Sequence, residues 1–507
     1  MQGFEGLHCY FGDIHSHCAV GYGHGSLEEA FQNARMQLDF AAVTVHAHWA
    51  DMPAESPDLA PVIAYHQGGF ERTRRLWPHV QEVVEAHYRP GEFVTFSSFE
   101  WHSLAYGDHN VYYKGGGSEI IRAADLEEMR SRLRRLREEG TECLLIPHHI
   151  GYRRGYRGIN WTAFTPEFSP VVEIISMHGS AESADAPYPY LHTMGPRDWH
   201  STYQYGLAQG HVVGVVGSTD HHSAHPGSYG HGRLAVWAPE LTREGIWAAL
   251  VARRTVALTG DNIVLQLAVN EQPIGSVLKP APERHIEVTV EGGGALDYVE
   301  LLHNNQVIER WDCLGAAPVD WAEPVKVHLE VGWADRHVEV AWDVTLEVVR
   351  GRLLGVEPRF RGPEVVAPQA QEWERYAFSR WERVGASGVA FATRTWGNLT
   401  TTTPSTQGVC LEIAGDAETQ IRGTVNGREV TVTLGELRHG PQAGYLGGFL
   451  SPAYVFHRAI PRSESSGAFS LTHHAAGTRR DWYTVRVRQK NGQWAWSSPI
   501  WVEAAHG

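Results

Sequence analysis

Twenty-one of the 30 histidines lie between His8 and His231, and many stand where a short apolar run stops. His46 follows FAAVTV, His148 and His149 follow LLIP, and Asp220 and His222 follow VVGVVGST. Near the start, His15 and His17 flank Ser16. Apolar runs that end in ligand-type residues constrain the fold, because barrel enzymes gather their active sites from the ends of several strands. Imidazole and carboxylate together suit the borderline divalent metals zinc, manganese and iron. The pattern points to metal-dependent hydrolysis on an α/β framework.

The first half alternates strand-like and helix-like segments. Ser26-Leu27-Glu28-Glu29 has the S-x-x-E form of a capping box, and Ala30, Phe31 and Ala34 follow at helical spacing. FAAVTV and FVTFSSFE read as strands. Asp125 to Glu139 reads as an amphipathic helix with Leu126, Met129, Leu133 and Leu136 on one face, stopped by Gly140. LLIP, VVEIISM and VVGVVGS are continuous apolar runs, as in strands covered on both faces. A helix is expected at about 242–253. The expected fold over residues 1–262 is a parallel α/β barrel or a distorted relative of one.

From about Gly260 short alternating segments take over, among them NIVLQLAVN, HIEVTVEG and EVAWDVTLEVV, with turn signals at Asn304-Asn305 and Asn426-Gly427. Residues 263–507 are expected to be all-β, in one or two sandwiches. The last strands are expected to return to the first ones. That makes a sandwich of 263–324 with 476–507, carrying an inserted second β unit at 325–475. Trp373, Trp381, Trp396, Trp494 and Trp496 read as core or interface packing rather than a glycan-stacking face.

A chain of 507 residues exceeds one ordinary core, so two or three domains are expected. The net charge of -15 argues against general nucleic-acid or anionic-membrane binding. Cys9, Cys18, Cys143, Cys313 and Cys410 show no C-x-x-C spacing and read as reduced thiols of a cytoplasmic protein. No signal-peptide pattern and no membrane-length apolar run is visible. The sequons at Asn160 and Asn398 read as chance. Homo-oligomerisation stays open.

The chemistry-bearing pieces run in order: GDIHSH, Gly23-His24-Gly25-Ser26, VTVHAH, FEWH, GDHNVYY, IPHHIG and STDHHSAHPG. One H-x-H is weak, but in a strand-end loop residues i and i+2 can point the same way and chelate one ion. The series resembles the PHP (polymerase and histidinol phosphatase) family, most closely its larger DUF3604-type members with a β-rich C-terminal region. The family's D-x-H-x-H is similar to Asp13 through His17, and its H-G turn before S-P-E-E to His24. Its T-D-H is similar to Thr44-Val45-His46, and its bridging glutamate to Glu100. A later histidine before N-V-Y matches His109, a histidine usually followed by proline matches His148, and the final D-x-H matches Asp220-His221-His222.

The resemblance implies a distorted (β/α)7 barrel holding two or three divalent ions (Zn, Mn or Fe). One ion would take His15, His17, Glu100 and Asp220. Glu100 would bridge to a second, held by His109 and His148, and a third would sit among His24, His46 and His222. The implied reaction is hydrolysis of a phosphoester of a small molecule, with hydroxide held between the ions attacking phosphorus. The chain departs from the pattern at Val45, where aspartate is usual, and at His149, where proline is common. His148 and His149 therefore compete, as do His102 and His109. Hydrolysis of an amide, lactone or other carbon-centred bond stays open, and so does a non-catalytic, metal-stabilised binding protein.

After His149 the loop GYRRGYRGINW offers Arg153, Arg154 and Arg157, whose forked donors suit a phosphate. Arg153, Arg157 and His149 are candidate substrate contacts. His178, after VVEIISM, is a candidate general acid, with Arg154 and His221 as further catalytic candidates. Asp13 is expected to orient a ligand histidine, and Cys18 to pack.

Overall fold

At Ser26 the capping box forms as its chemistry predicts. The Ser26 hydroxyl accepts from the Glu29 N–H, and the Glu29 carboxylate accepts from the Ser26 N–H, each at 3.1 Å. The computed structural model describes residues 1–190, 194–314, 319–336, 338–363, 375–397, 405–475, 477 and 479–504. Trp373 and Asn398 lie outside the described residues.

The fold is mixed α/β and mostly sheet. The first half runs β1 (His8–Asp13), α1 (Leu27–Gln37), β2 (Phe40–Ala42), β3 (Val45–Trp49), α2 (Ala60–His87), β4 (Val94–His102), β5 (His109–Tyr113), α3 (Leu126–Glu138) and β6 (Cys143–Pro147). It continues with β7 (Val171–Ser176), β8 (Gly179–Ser180), α4 (Tyr203–Ala208), β9 (Gly214–Gly217), β10 (Arg233–Ala238), α5 (Arg243–Val251) and β11 (Thr255–Leu258). Asp125 caps α3 by accepting from the Glu128 N–H at 2.8 Å, and Leu126, Met129 and Leu133 bury the apolar face.

Strand pairing is mixed rather than uniformly parallel. β1, β2 and β4 pair in parallel, and β3 runs parallel to β4. β4, β5 and β6 pair antiparallel. Only residues 103–108 join β4 to β5, too short a link for the crossover that parallel neighbours need, so a hairpin forms. β7 and β9 pair in parallel in a separate 3-stranded sheet. β10 is antiparallel to β1 and to β11.

The sheet of the first half continues into C-terminal strands. β11 pairs with Trp494–Ser497, and Asp481–Gln489 pairs with Leu296–His303 in the same 14-stranded sheet. Ser466–His474 pairs along Glu283–Glu291 in a 4-stranded sheet. Between them a 6-stranded and a 5-stranded sheet share a buried core that includes Val327, Leu329, Trp342, Val344 and Phe391. Trp494 and Trp496 are buried with parallel rings 5.7 Å apart, and the Trp381 indole donates to the Met36 carbonyl at 2.8 Å. All five cysteines are free thiols. Among the described residues no helix is long and apolar enough to cross a membrane.

Candidate metal centre

The loops after β1 and β9 are stitched together by their backbones. The Asp220 N–H donates to the His15 carbonyl and the His17 N–H to the His221 carbonyl, both at 2.8 Å. Thr44 N–H to Ser16 and His24 N–H to His222 add bonds of 2.8 Å each. Buried Asp13 accepts from the N–H groups of His15 (3.0 Å), Thr219 (3.2 Å) and Gly227 (2.8 Å). Those bonds tie the loops together, while burial pushes the Asp13 carboxyl up to about 6 against them. Asp220 (φ 55°) and His149 (φ 31°) are left-handed, a strain that aims strand-end side chains inward.

Glu100, on β4, is the hub. Its Oε1 lies 3.1 Å from His148 Nε2 and 3.2 Å from His102 Nδ1. Its Oε2 lies 3.4 Å from His46 Nε2 and 3.5 Å from His17 Nε2. Asp220 Oδ1 stands 2.9 Å from His17 Nε2 and 3.2 Å from His15 Nε2. Compact groups, with all ligand atoms within 4.8 Å of one another, include His15–His17–Asp220, His15–Glu100–His148, His17–His46–His222, His46–Glu100–His102 and His148–His149–Asp220.

Burial, joined by Asp108 and Asp220, raises the Glu100 carboxyl well above the usual range. Burial also works against ionised Asp220, but His15, His17 and His178 outweigh it and hold that carboxyl well below its usual range. Burial drives His46 and His148 well below the usual imidazole value, and takes His102 and His149 to about 4 and His222 to about 3. His15 is the exception, since Asp220 and Glu173 overcome its burial and raise it. Neutral imidazole is the form that binds a metal.

Most of the expected ligands converge here, and His109 does not. In the β4–β5 register Glu100 faces Asn110 and Trp101 faces His109. His109 therefore shares the Trp101 side of the sheet, its ring 5.9 Å from that indole, and donates from Nδ1 to the Gly107 carbonyl at 2.9 Å. His102 stands beside Glu100 in its place. The His24 ring stacks toward Tyr376 at 6.4 Å.

His148 and His149 both reach the centre, and His149 Nε2 lies 3.3 Å from Asp108 Oδ2. His221 turns away, its ring 5.5 Å from His231, and its Nδ1 accepts from the Ser223 N–H at 3.2 Å. His178 donates from Nε2 to Asp220 at 2.6 Å and accepts from the Tyr152 hydroxyl at 2.6 Å. Arg157 donates from Nε to Asp108 at 2.6 Å, with Nη2 2.9 Å from His102 Nδ1. Arg153 and Arg154 are exposed, Arg153 lying over the Tyr156 ring. Cys18 is buried in the hydrophobic core.

Sequence reasoning missed Glu173, Asp108 and Tyr22. Glu173 is a single acid inside VVEIIS, and its burial in an apolar strand was the available signal. Asp108 stands directly before the expected ligand His109. Tyr22 stacks on His46 with centroids 3.4 Å apart.

Fold and centre together describe a mixed α/β protein whose buried His, Asp and Glu groups could hold a metal ion. Residues 24–157 match the family model described as "Protein of unknown function (DUF3604)". An uncharacterized protein of Chlamydia pneumoniae is 26% identical over 270 residues, 48% of this chain and 43% of that protein. An uncharacterized protein of Chlamydia trachomatis is 27% identical over 184 residues, 33% of this chain and 29% of its own. The chain thus spans less than half the length of these curated relatives. A solved two-domain protein from Bacteroides vulgatus, described as containing a predicted PHP-like metal-dependent phosphoesterase, is similar over 85% of this chain and 96% of its own. Its identity to this chain is 12% and the TM-score 0.31.

Proposed function

We propose that this protein is a metal-dependent hydrolase acting on a phosphoester of a small molecule. The convergence of His17, His46, His102 and His148 on the two oxygens of buried Glu100 carries the reading. The donor set fits divalent cations. Glu100 Oε2 and His148 Nε2, which face the centre, are buried without a hydrogen-bond partner. Buried polar atoms left that way are costly, and a cation would satisfy those that face the centre. His15, His17 and Asp220 would hold one ion, Glu100 and His148 a second, and His46 and His222 a third, with His102 and His149 as the added imidazoles of this chain. Bound ions would supply Lewis acidity and activate water near neutral pH.

The chain's own residues divide the remaining work. Glu173 orients His15, and Asp13 locks the two loops. His178 Nε2 holds the proton shared with Asp220, and the Tyr152 hydroxyl fixes its tautomer. Arg157 Nη1, which donates to the weakly accepting Met194 Sδ at 3.4 Å, is the donor we assign to an anionic substrate. We further assign catalysis to residues 1–262, arranged as a distorted (β/α)7 barrel, whose sheet runs on into strands of the β-rich region from 263.

The test is metal-loaded protein assayed against phosphomonoesters, phosphodiesters, lactones and amides. Turnover of a phosphoester supports the reading. Turnover confined to carbon-centred substrates contradicts it, and no turnover at full metal occupancy favours a binding protein.

A further inference from the structure

Glu29, Asn33 and Gln37 recur at i, i+4 and i+8 on α1 and so form a polar stripe on one helix face. A core-facing helix stripe is ordinarily apolar, yet Asn33 is 1% exposed and Gln37 7%. Their bonds lead away from the helix. Glu29 Oε1 accepts from the N–H groups of Tyr376 (2.9 Å) and Ala377 (3.3 Å), in the β insert. Asn33 Nδ2 donates to the carbonyls of Ala224 (2.7 Å) and Tyr376 (3.2 Å). Gln37 Nε2 donates to the Gly227 carbonyl at 3.0 Å, and its Oε1 accepts from Arg233 Nη2 (2.9 Å) and the Phe360 N–H (3.3 Å).

Ala224 is where this clamp meets the metal centre. Its carbonyl is held by Asn33, and its N–H donates to the His17 carbonyl at 3.0 Å. The insert also presses on the turn directly. The Gly362 N–H donates to the Ser228 hydroxyl at 3.0 Å. A Cβ at Gly362 would lie 2.5 Å from His221 Cε1 and 2.5 Å from His225 Cβ, so only glycine fits without displacing them.

We propose that the β insert is a positioning element for the metal centre: through Asn33 and Gly362 it fixes the Asp220–His222 turn, and the centre reaches full metal affinity only with the insert docked. This rests on the metal-centre reading. Asn33 and Gly362 act through the turn and touch no reacting group.

The experiment is Mn²⁺ titration against a chelating indicator, with the melting temperature of metal-free protein measured in parallel. Asn33→Ala and Gly362→Ala are expected to weaken Mn²⁺ binding by roughly tenfold or more, as loss of supporting contacts does at metal sites. Trp381→Phe removes an insert-to-α1 bond away from the turn, and is expected to lower the melting temperature while leaving Mn²⁺ affinity unchanged. Wild-type affinity in Asn33→Ala would overturn the proposal, and so would equal weakening in Trp381→Phe. Should Gly362→Ala fail to fold, Asn33→Ala still decides. Wild-type protein that takes up no Mn²⁺ or Zn²⁺ would overturn the metal-centre reading as well, whereas wild-type uptake with Asn33→Ala unaffected overturns this proposal alone.

Discussion

His15 Nδ1 donates to Glu173 Oε2 at 2.7 Å, with the two side chains 1% and 2% exposed. In the neutral, metal-binding form of His15 the bond fixes the tautomer and leaves the Nε2 lone pair aimed at the space beside His17 Nε2 and Asp220 Oδ1, 3.1 and 3.2 Å away. A carboxylate behind a ligand imidazole also raises its basicity. Glu173→Gln is therefore expected to weaken metal binding by about 10- to 100-fold in a chelator competition. Unchanged affinity would show that Glu173 is a bystander.

Glu100→Gln removes the hub charge and is expected to abolish metal uptake and turnover together. Metal-free protein should behave differently. The folded-state pKa of Glu100 is raised, so its contribution to stability is full below the unfolded value of about 4.3 and is lost as pH rises through the folded value. The Gln variant should thus gain stability relative to wild type as pH rises. Urea midpoints of both proteins in chelator at pH 5 and pH 8 check the sign.

Buried histidines set the acid limit. Burial lowers His109 to about 4 and His225 to about 3. A lowered folded pKa means that the unfolded chain takes up protons first, so stability is full above about 6.5 and falls as pH drops toward the folded values. Each such residue withdraws as much as about 2 kcal/mol between pH 6.5 and 5. His109→Asn should flatten the pH dependence of unfolding by up to one proton, read from denaturant melts of metal-free protein across that range.

Arg157 is 18% exposed and holds fully buried Asp108. Removing one partner strands the other charge, so Arg157→Met is expected to cost about 3–5 kcal/mol of unfolding free energy. The double variant with Asp108→Asn should recover a large part of that loss. Equal stability of the single and double variants would show that the pair is not coupled.

Much of the candidate centre was legible in the sequence because its candidate ligands are local. Asp13 to His17 and Asp220 to His222 are short loops, and the backbone ties each loop makes preserve the order read from the chain. Glu173 offered only the signal of a lone acid in an apolar strand, and nothing near it in sequence names His15 as its partner. The choice between His102 and His109 depends on the β4–β5 register, which puts Trp101 opposite His109 and leaves Glu100 and His102 on the other face. The hairpin itself follows from the short link at 103–108, but FVTFSSFE alone does not say on which side its partner lies. Capping at Ser26 and Asp125 was readable because those signals sit within a single turn of helix.

Anomalous scattering at metal absorption edges, from crystals of protein grown with manganese or zinc, tests the central claim most directly. Anomalous peaks bonded to Glu100 and Asp220 are expected, with His15, His17 and His148 among the surrounding ligands. Metal-replete crystals with no peak at Glu100 would contradict that claim.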